Sequence, residues 1–495
     1  MSEPSLTYGA DDFKNGCISA QRVLAIVKDI DPYNNSKYTR RDEITLGRLF
    51  SDVFRDVARY NTTAREWYVY DGIVWKCDTE SMIVEQYAKM LQGAMMVYST
   101  GLQNESNQDD VVRYQKFIAS LGARGKRMTM INDARGFNFV SAEDFDRDPY
   151  LFNCQNCVID LRTLKRLDHD PALLLSMVSN VHYDPDVRAE LFLKFLDEIM
   201  KGDVDVINYL QMIFGYSLTG ENSQEQFYLC YGSTTRNGKS TLLDVIGHMF
   251  GSYGKNIQPE TLAQKDKNSR SASGDIARLN GCRFLQMSEP PKRMKFDVAL
   301  LKTLLGRDRI TARHIYEREF EFVPVFKLFI NSNYLPIVAD DTLFSSGRVK
   351  VIPFDRHFEP EEQDRTLKRR LKARESISGL FNWCLDGLRR YYQSEERLIE
   401  PEAVLNATDN YRKQSDKIQN FINDCLDENI GKCTAVKDCY EVYSRWCHES
   451  GFGVENKSNF IDELKTKGLY ATSGTVGGRT VRNVVKDYTL SYEYA

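Results

Sequence analysis

The sequence has no run of about 18 uncharged apolar residues, so a helix-spanning membrane protein is not expected. Its start, MSEPSLTYGADDFKNG, has neither the basic segment nor the apolar stretch of a signal peptide, and the cytosol is the expected compartment. Charge of one sign is also missing. Lys+Arg 66 against Asp+Glu 70 leave a net charge of -4, so any nucleic-acid footprint has to be local. A disulfide framework is not indicated either: the 11 cysteines are odd in number and scattered, and read as reduced, mostly buried thiols. The one CxxC, Cys154 to Cys157, has no second CxxC or HxH at zinc spacing and reads as buried thiols flanking a turn.

What is present suffices for ordinary cores: 42% hydrophobic and 12% aromatic residues exclude a disordered or collagen-like chain. A chain of 495 residues is too long for one core, and at roughly 150 residues per domain it predicts about three. No internal repeat is found.

The run LGRLFSDVFRDVARY predicts an amphipathic helix, and EWYVYDGIVWKCD predicts a β-hairpin turning at Asp71-Gly72. Trp67 and Trp75 fall on its two strands and read as core packing. Apolar residues at 3 and 4 spacing over 187–218 (Leu191, Phe192, Phe195, Leu196, Ile199, then Ile207, Leu210, Ile213) predict a helical hairpin. From 226 the pattern changes. QFYLCYG, CRFLQMS, VFKLFINSN and VKVIPF are short, nearly continuous apolar runs, the mark of strands covered on both faces of a parallel sheet. Beyond Pro360 the chain is helical and basic (Arg365, Lys368, Arg369, Arg370, Lys372, Arg374), which reads first as a solvated helix face. From about 416, two amphipathic helices, then NKSNFIDELKTKG and the ribbon LYATSGTVGGRTVRNVVKDYTL, follow the order of a winged helix-turn-helix.

The strongest chemical signal is YGSTTRNGKSTLLDVIGHMF. A strand ends at Tyr231, a loop runs through Gly232, Ser233, Thr234, Thr235, Arg236, Asn237 and Gly238, and Lys239, Ser240 and Thr241 open a helix. In that context loop amides and the helix N-terminus cradle a polyphosphate, Lys239 neutralises its outer phosphates and Ser240 ligates Mg²⁺. Five residues separate the two glycines where four are usual, so either the loop is one residue longer or Ser233 takes the first glycine position.

CRFLQMSEP supplies a strand ending in a single acid, Glu289, suited to both the metal and the attacking water. VFKLFINSNYLP ends in Asn333, placed to orient water against the γ-phosphate, with Asn331 as its in-strand competitor. Between them, 302–318 carry Lys302, Arg307, Arg309, Arg313 and Arg318 with His314 and Tyr316 interleaved and enter a second hairpin. Such a strip suits a nucleic-acid backbone or an intersubunit ion-pair surface. Arg348 follows in DDTLFSSGRVKVIPF, where it reads as a finger toward a neighbour's γ-phosphate or as an ordinary ion pair. Near the end, Lys465, Lys467, Arg479, Arg482 and Lys486 make a basic ribbon suited to a DNA phosphate backbone or, failing that, to a protein contact.

In this order, GSTTRNGKST, RFLQMSEP, LKTLLGRDRITARHIYEREFEF, FKLFINSNYLP and SSGRVKVIPF resemble the ATPase domain of superfamily-3 helicases, of the phage, plasmid and satellite primase-helicase type related to the poxvirus replication ATPase. NCQNCVIDLRTLKRL, INYLQMIFGYSLTGENSQEQFYLCYG and EWYVYDGIVWKCD extend the resemblance over most of 45–490. It implies an AAA+-like α/β P-loop core with a parallel sheet, using ATP and Mg²⁺ in a homo-hexameric ring that draws one DNA strand through its pore. Lys239, Ser240, Glu289 and Asn333 match the phosphate, metal, carboxylate and sensor positions, Arg348 the finger, and His314, Tyr316 and Arg318 the pore hairpin. Gly347 precedes Arg348 where relatives usually have another arginine.

The expected organisation is an N-terminal α+β region (1–150), a linker and helical collar (151–220), the ATPase (221–375), a helical lid or linker (376–414) and a winged-helix DNA-binding domain (415–495). The first histidine is His169 and Asp144-Phe145-Asp146 stands in polar turn text, so a priming polymerase is not expected. The implied activity is a replicative DNA helicase of a phage or mobile element in a bacterial host cytosol, with a replication-initiation or primase partner conceivable and no membrane partner. An origin-binding initiator without processive unwinding, or a primase-helicase, are the alternatives.

Overall fold

The computed structural model describes residues 10–14, 16–104, 107–264, 273–292, 294–313, 319–338, 342–450 and 453–492. The hairpin tip with His314, Tyr316 and Arg318 lies outside the described residues.

The N-terminal part comprises α1 (Ala20–Ile30), α2 (Glu43–Val53), β1 (Ala58–Asn61), β2 (Glu66–Tyr70), β3 (Trp75–Asp78), α3 (Met82–Thr100), α4 (Gln108–Ser120), α5 (Arg124–Ala134) and β4 (Phe139–Val140). Helix α2 starts where the Asp42 carboxylate accepts the Thr45 N–H at 2.8 Å, a cap for an otherwise orphaned amide. Its Leu46, Leu49, Phe50 and Val53 recur at helical spacing and are all buried. The sheet order is β3-β2-β1-β4. The expected hairpin turns through Asp71, whose carboxylate accepts from the Ile73 and Val74 amides at 2.9 Å. Trp67 and Trp75 are 1% exposed, as core residues should be.

Next come a small antiparallel sheet, β5 (Leu151–Asn153), β6 (Val158–Asp160) and β7 (Lys165–Leu167), and the helical hairpin α6 (Glu190–Ile199) and α7 (Val204–Ser217). Cys154 and Cys157 flank the β5–β6 turn, buried and free. Among the described residues no His/Cys/Asp/Glu cluster could hold a metal.

The core of the molecule is a parallel sheet in the order β9-β10-β13-β8-β14, built from β8 (Phe227–Tyr231), β9 (Gly254–Ile257), β10 (Phe284–Ser288), β13 (Lys327–Ser332) and β14 (Val349–Pro353). Helix α8 (Lys239–Phe250) follows β8, α9 (Val298–Leu305) follows β10, and the antiparallel pair β11 (Ile310–Ala312) and β12 (Phe320–Phe322) precedes β13. The four apolar runs read from the sequence are all strands. The fifth, β9, is an edge strand of sequence GKNI with no such run; only Ile257 of its four residues is buried. The sheet is covered on both faces. Phe214, Phe284 and Phe329 stack on the side of α7 and α8, and Leu301, Leu304, Leu285 and Ile330 pack on the other.

Two buried cations fasten the end of α7 and the strand β5 to the starting edge of this sheet. Arg283 donates to the Leu218 and Leu151 carbonyls at 2.6 and 2.9 Å, and Lys327 to the Thr219 carbonyl at 2.7 Å. They satisfy carbonyls at the C-terminus of α7, where positive charge is favoured, and burial pushes the pKa of both groups down.

Helices α10 (Leu367–Leu371), α11 (Arg374–Gln393) and α12 (Glu402–Ser415) follow the parallel sheet. Lys368 and Lys372 pair with Asp244 of α8 at 2.8 and 2.5 Å, so part of the basic run is an intramolecular tie. The last part follows as α13 (Lys417–Cys425), β15 (Leu426–Ala435), α14 (Val436–Ser450), α15 (Lys457–Thr466), β16 (Tyr470–Val476) and β17 (Arg479–Leu490), with sheet order β15-β17-β16. The sequence reading missed β15 because its middle, DENIGK, is exposed and polar.

Candidate functional site

In a parallel sheet every strand ends at the same edge. Here β8, β10, β13 and β14 deliver the Gly232–Gly238 loop, Glu289, Asn333 and the Phe354–Phe358 segment to one edge. Lys239 is 2% exposed, and its ammonium donates to the Asn333 Oδ1 at 2.9 Å and the Gly232 carbonyl at 3.3 Å. Burial lowers its pKa to about 8, against the opposing pull of Cys230 and Glu289. The Ser240 Oγ accepts from the Asn331 amide at 2.9 Å. The Glu289 N–H donates to the Asn331 carbonyl at 2.9 Å, and Glu289 holds a left-handed φ of 49° with its side chain exposed.

The loop has a wall. His357 Nδ1 lies 2.8 Å from the Thr235 carbonyl, the Phe358 N–H donates to the Arg236 carbonyl at 2.9 Å, and the Asn237 amide donates to the Thr234 carbonyl at 2.7 Å. Each peptide is planar and trans, so a carbonyl held back turns the following N–H the opposite way. Gly232 is needed as glycine: a Cβ there would stand 2.5 Å from both the Phe354 carbonyl oxygen and the Asn237 side chain. Gly238 has φ +84°, and a Cβ would stand 2.4 Å from Ile199 Cγ2. Ser233 to Arg236 are exposed between them, with Thr241 inside the first turn of α8. Gly232 is thus the position at the start of the loop where the packing requires a glycine.

Arg348 is elsewhere. It stands just before β14, at the opposite edge of the sheet, where it donates to the Lys302 carbonyl at 3.1 Å and pairs with Glu225 at 2.5 Å. Arg307 comes within 3.7 Å of the same carboxylate. Glu225 is a partner that the sequence reading missed, and nothing local could have revealed it, since it lies 123 residues from Arg348. Asn331 carried a signal: residues two apart on a strand share a face, so Asn331 and Asn333 face the same side.

Two of the basic C-terminal residues are engaged in ion pairs. Lys467 is committed to Asp416 at 2.5 Å and Lys465 to Asp462 at 2.7 Å. Arg479, Arg482 and Lys486 are exposed on β17. Arg313 is exposed at the end of β11.

A parallel α/β sheet whose inner strand runs through a glycine-framed loop into a helix is the architecture of a P-loop ATPase core. Three families match parts of the chain: D5 N terminal like over 47–201, a family of unknown function over 230–348, and Poxvirus D5 protein-like over 413–469. The chain is 29% identical over 393 residues to L207/L206 of Acanthamoeba polyphaga mimivirus, covering 74% of this chain and 40% of that protein. It is 27% identical over 242 residues to 022R of Frog virus 3 (isolate Goorha), covering 45% and 24%. Against V13 of Sputnik virophage it is 25% identical over 222 residues, covering 42% and 28%. All three relatives carry the name of a helicase. The solved C-terminal region of NrS-1 aligns with a TM-score of 0.49 at 11% identity, over 90% of this chain and 100% of that one.

These matches relate the chain to a superfamily-3-like helicase domain of the poxvirus D5 kind, found across viral helicases. The chain spans less than half the length of each viral relative. The expected phage, plasmid or satellite setting is thus too narrow, and a bacterial host finds no support in relatives from viruses named for an amoeba and a frog. No helix among the described residues is long and apolar enough to cross a membrane.

Proposed function

We propose that the chain is an ATP-dependent DNA helicase motor that works as a ring of identical subunits, a homo-hexamer by its resemblance. The observation that carries this reading is the meeting of three strand ends: β8 brings Lys239 and Ser240, β13 sets Asn333 on Lys239 and Asn331 on Ser240, and β10 joins through the Glu289 amide on the Asn331 carbonyl. Lys239 binds the outer phosphates. Its lowered pKa keeps desolvation as a driving force toward an anionic partner, because a triphosphate neutralises a buried ammonium. Glu289 takes the proton of the attacking water, and Asn333 passes from Lys239 to that water or the γ-phosphate.

One hydroxyl, Ser240, and one carboxylate, Glu289, are too few to hold Mg²⁺ alone. They fit an ion that arrives on the phosphates, the usual manner of Mg²⁺ in ATPases. When bound, the ion supplies neutralisation of charge on the β- and γ-phosphates.

Arg348 supports a ring for a geometric reason. The five residues of β14, at roughly 3.3 Å per residue, separate it from its own loop by about 16 Å, so its guanidinium serves a neighbour's nucleotide or none. Arg313 and the hairpin it enters would line the channel, and Arg479, Arg482 and Lys486 would touch duplex phosphates at the fork, as in the wing of a winged helix. The helix-strand-helix-helix-strand-strand order of 417–490 favours that last assignment.

The test is strand displacement from a forked DNA substrate by the wild type and by Lys239→Ala and Glu289→Gln. Displacement lost in both, with ATP still bound by Glu289→Gln, is the expected result. ATP-dependent DNA binding without displacement by the wild type would replace the motor by an origin-binding initiator.

A further inference from the structure

In many P-loop ATPases the strand that carries the catalytic glutamate has an aspartate just before it, and that carboxylate holds the loop serine and the metal. Here the position is Ser288, whose hydroxyl accepts from the Gln286 side chain at 3.2 Å. Directly across the ladder from Ser288 stands Asn331. It is 4% exposed, and its amide reaches the Ser240 Oγ at 2.9 Å. We propose that Asn331 is the positioning residue for the metal-ligating hydroxyl of Ser240, taking over from the neighbouring strand the orienting task of the missing aspartate. The inference rests on the ATP–Mg²⁺ reading of this site.

The physical argument has three steps. A serine hydroxyl rotates freely and offers two lone pairs. An amide N–H on one of them pins the rotor and leaves the other lone pair in a set direction, toward the exposed side of Ser240. Asn331 is itself held by its main chain: it pairs with Cys230 of β8 on one side and Ser288 of β10 on the other, and its carbonyl takes the Glu289 N–H. One residue thus ties the loop serine and the glutamate to the same rigid strand. The substitution has a chemical consequence. A neutral amide donates to Ser240 and adds no charge, so the site attracts Mg²⁺ only together with the phosphates.

The test is the MgCl₂ concentration that half-saturates the binding of a fluorescent ATP analogue to the full chain, beside the binding of that analogue with chelator present. Asn331→Ala should raise the MgCl₂ midpoint about tenfold, the scale on which groups that orient a metal ligand act, and leave metal-free binding as in the wild type. Asn331→Asp should lower the midpoint below the wild type, since a carboxylate then stands beside Ser240. Ser240→Ala should raise the midpoint, and Ser240→Ala with Asn331→Ala should match Ser240→Ala alone, because the amide acts only through the hydroxyl. Should Asn331→Ala not fold, Asn331→Asp and Asn331→Ser carry the comparison.

A shifted midpoint in Ser240→Ala with unshifted midpoints in the Asn331 variants would overturn the inference and leave the nucleotide site standing. Equal loss of metal-free binding in Asn331→Ala would also overturn it, since that is the mark of a merely structural residue. An unshifted midpoint in Ser240→Ala would instead overturn the reading of Ser240 on which it rests.

Discussion

Replacing Gly232 with alanine tests the geometry of the loop more sharply than removing its lysine. The new Cβ would stand 2.5 Å from the Phe354 carbonyl oxygen, 2.5 Å from the Asn237 Nδ2 and 3.2 Å from the Lys239 ammonium. Carbon and carbonyl oxygen ordinarily touch at roughly 3.3 Å, so the two backbones must part by about 0.8 Å. Phe354 cannot yield easily, because its own N–H donates to the Tyr231 carbonyl at 2.7 Å and its ring is buried. Overpacking of this kind costs about 1–3 kcal/mol. The functional loss should be larger, since a displacement near 1 Å at a reacting centre removes about 10²-fold in rate. Steady-state ATP turnover and the nucleotide-free melting temperature of the full chain measure the two effects. Ser233→Ala is the comparison, because Ser233 is exposed and its change should leave the melting temperature as in the wild type. Wild-type turnover in Gly232→Ala, or a loss in Ser233→Ala that exceeds it, would refute the view that Gly232 is the framing glycine.

Arg348→Ala should lose about 10³-fold in turnover by itself and recover part of it when mixed with Lys239→Ala subunits, which contribute the missing arginine; full activity of the unmixed variant would show that the Glu225 ion pair is all that Arg348 does. Arg479→Ala with Arg482→Ala should make the slope of log binding constant against log salt shallower by about one per arginine, whereas Lys467→Ala should leave that slope alone and lower the melting temperature, since Lys467 is already held by Asp416. His169 gives a pH test. Its Nε2 lies 3.1 Å from the Asn153 Oδ1 and 3.0 Å from the Cys154 carbonyl, and burial holds its pKa below the ordinary 6.5. The unfolded chain then takes up a proton that the folded chain refuses, so this contribution to stability is present above pH 6.5 and lost as the pH falls toward the folded value. Melting curves of His169→Gln should fall less steeply on acidification; an identical pH dependence would remove His169 from that role.

The strands of the parallel sheet are legible because burial on both faces writes them as nearly continuous apolar runs: FYLCY, FLQMS, KLFINS and VKVIP each match an observed strand within a residue or two. Edge strand GKNI and the polar strand through DENIGK have no such signature, because most of their residues are exposed or half-buried and carry no apolar run. The glycine ambiguity in the loop was also beyond the sequence. Whether Gly232 or Ser233 lies against Phe354 depends on a segment more than a hundred residues later.

The sequence by itself determined that a loop with the signature of a phosphate site stands between a buried strand and a helix, because that signature is local: glycines, a lysine and a serine within one turn of backbone. Which distant groups stand over that loop was decided only by the tertiary structure. Parallel register brings Asn333 to Lys239 across 94 residues and Asn331 to Ser240 across 91, and it sends Arg348 to the far edge with Glu225. Strand order and register arise from the packing of both sheet faces against helices, a property of the whole chain and of no single segment.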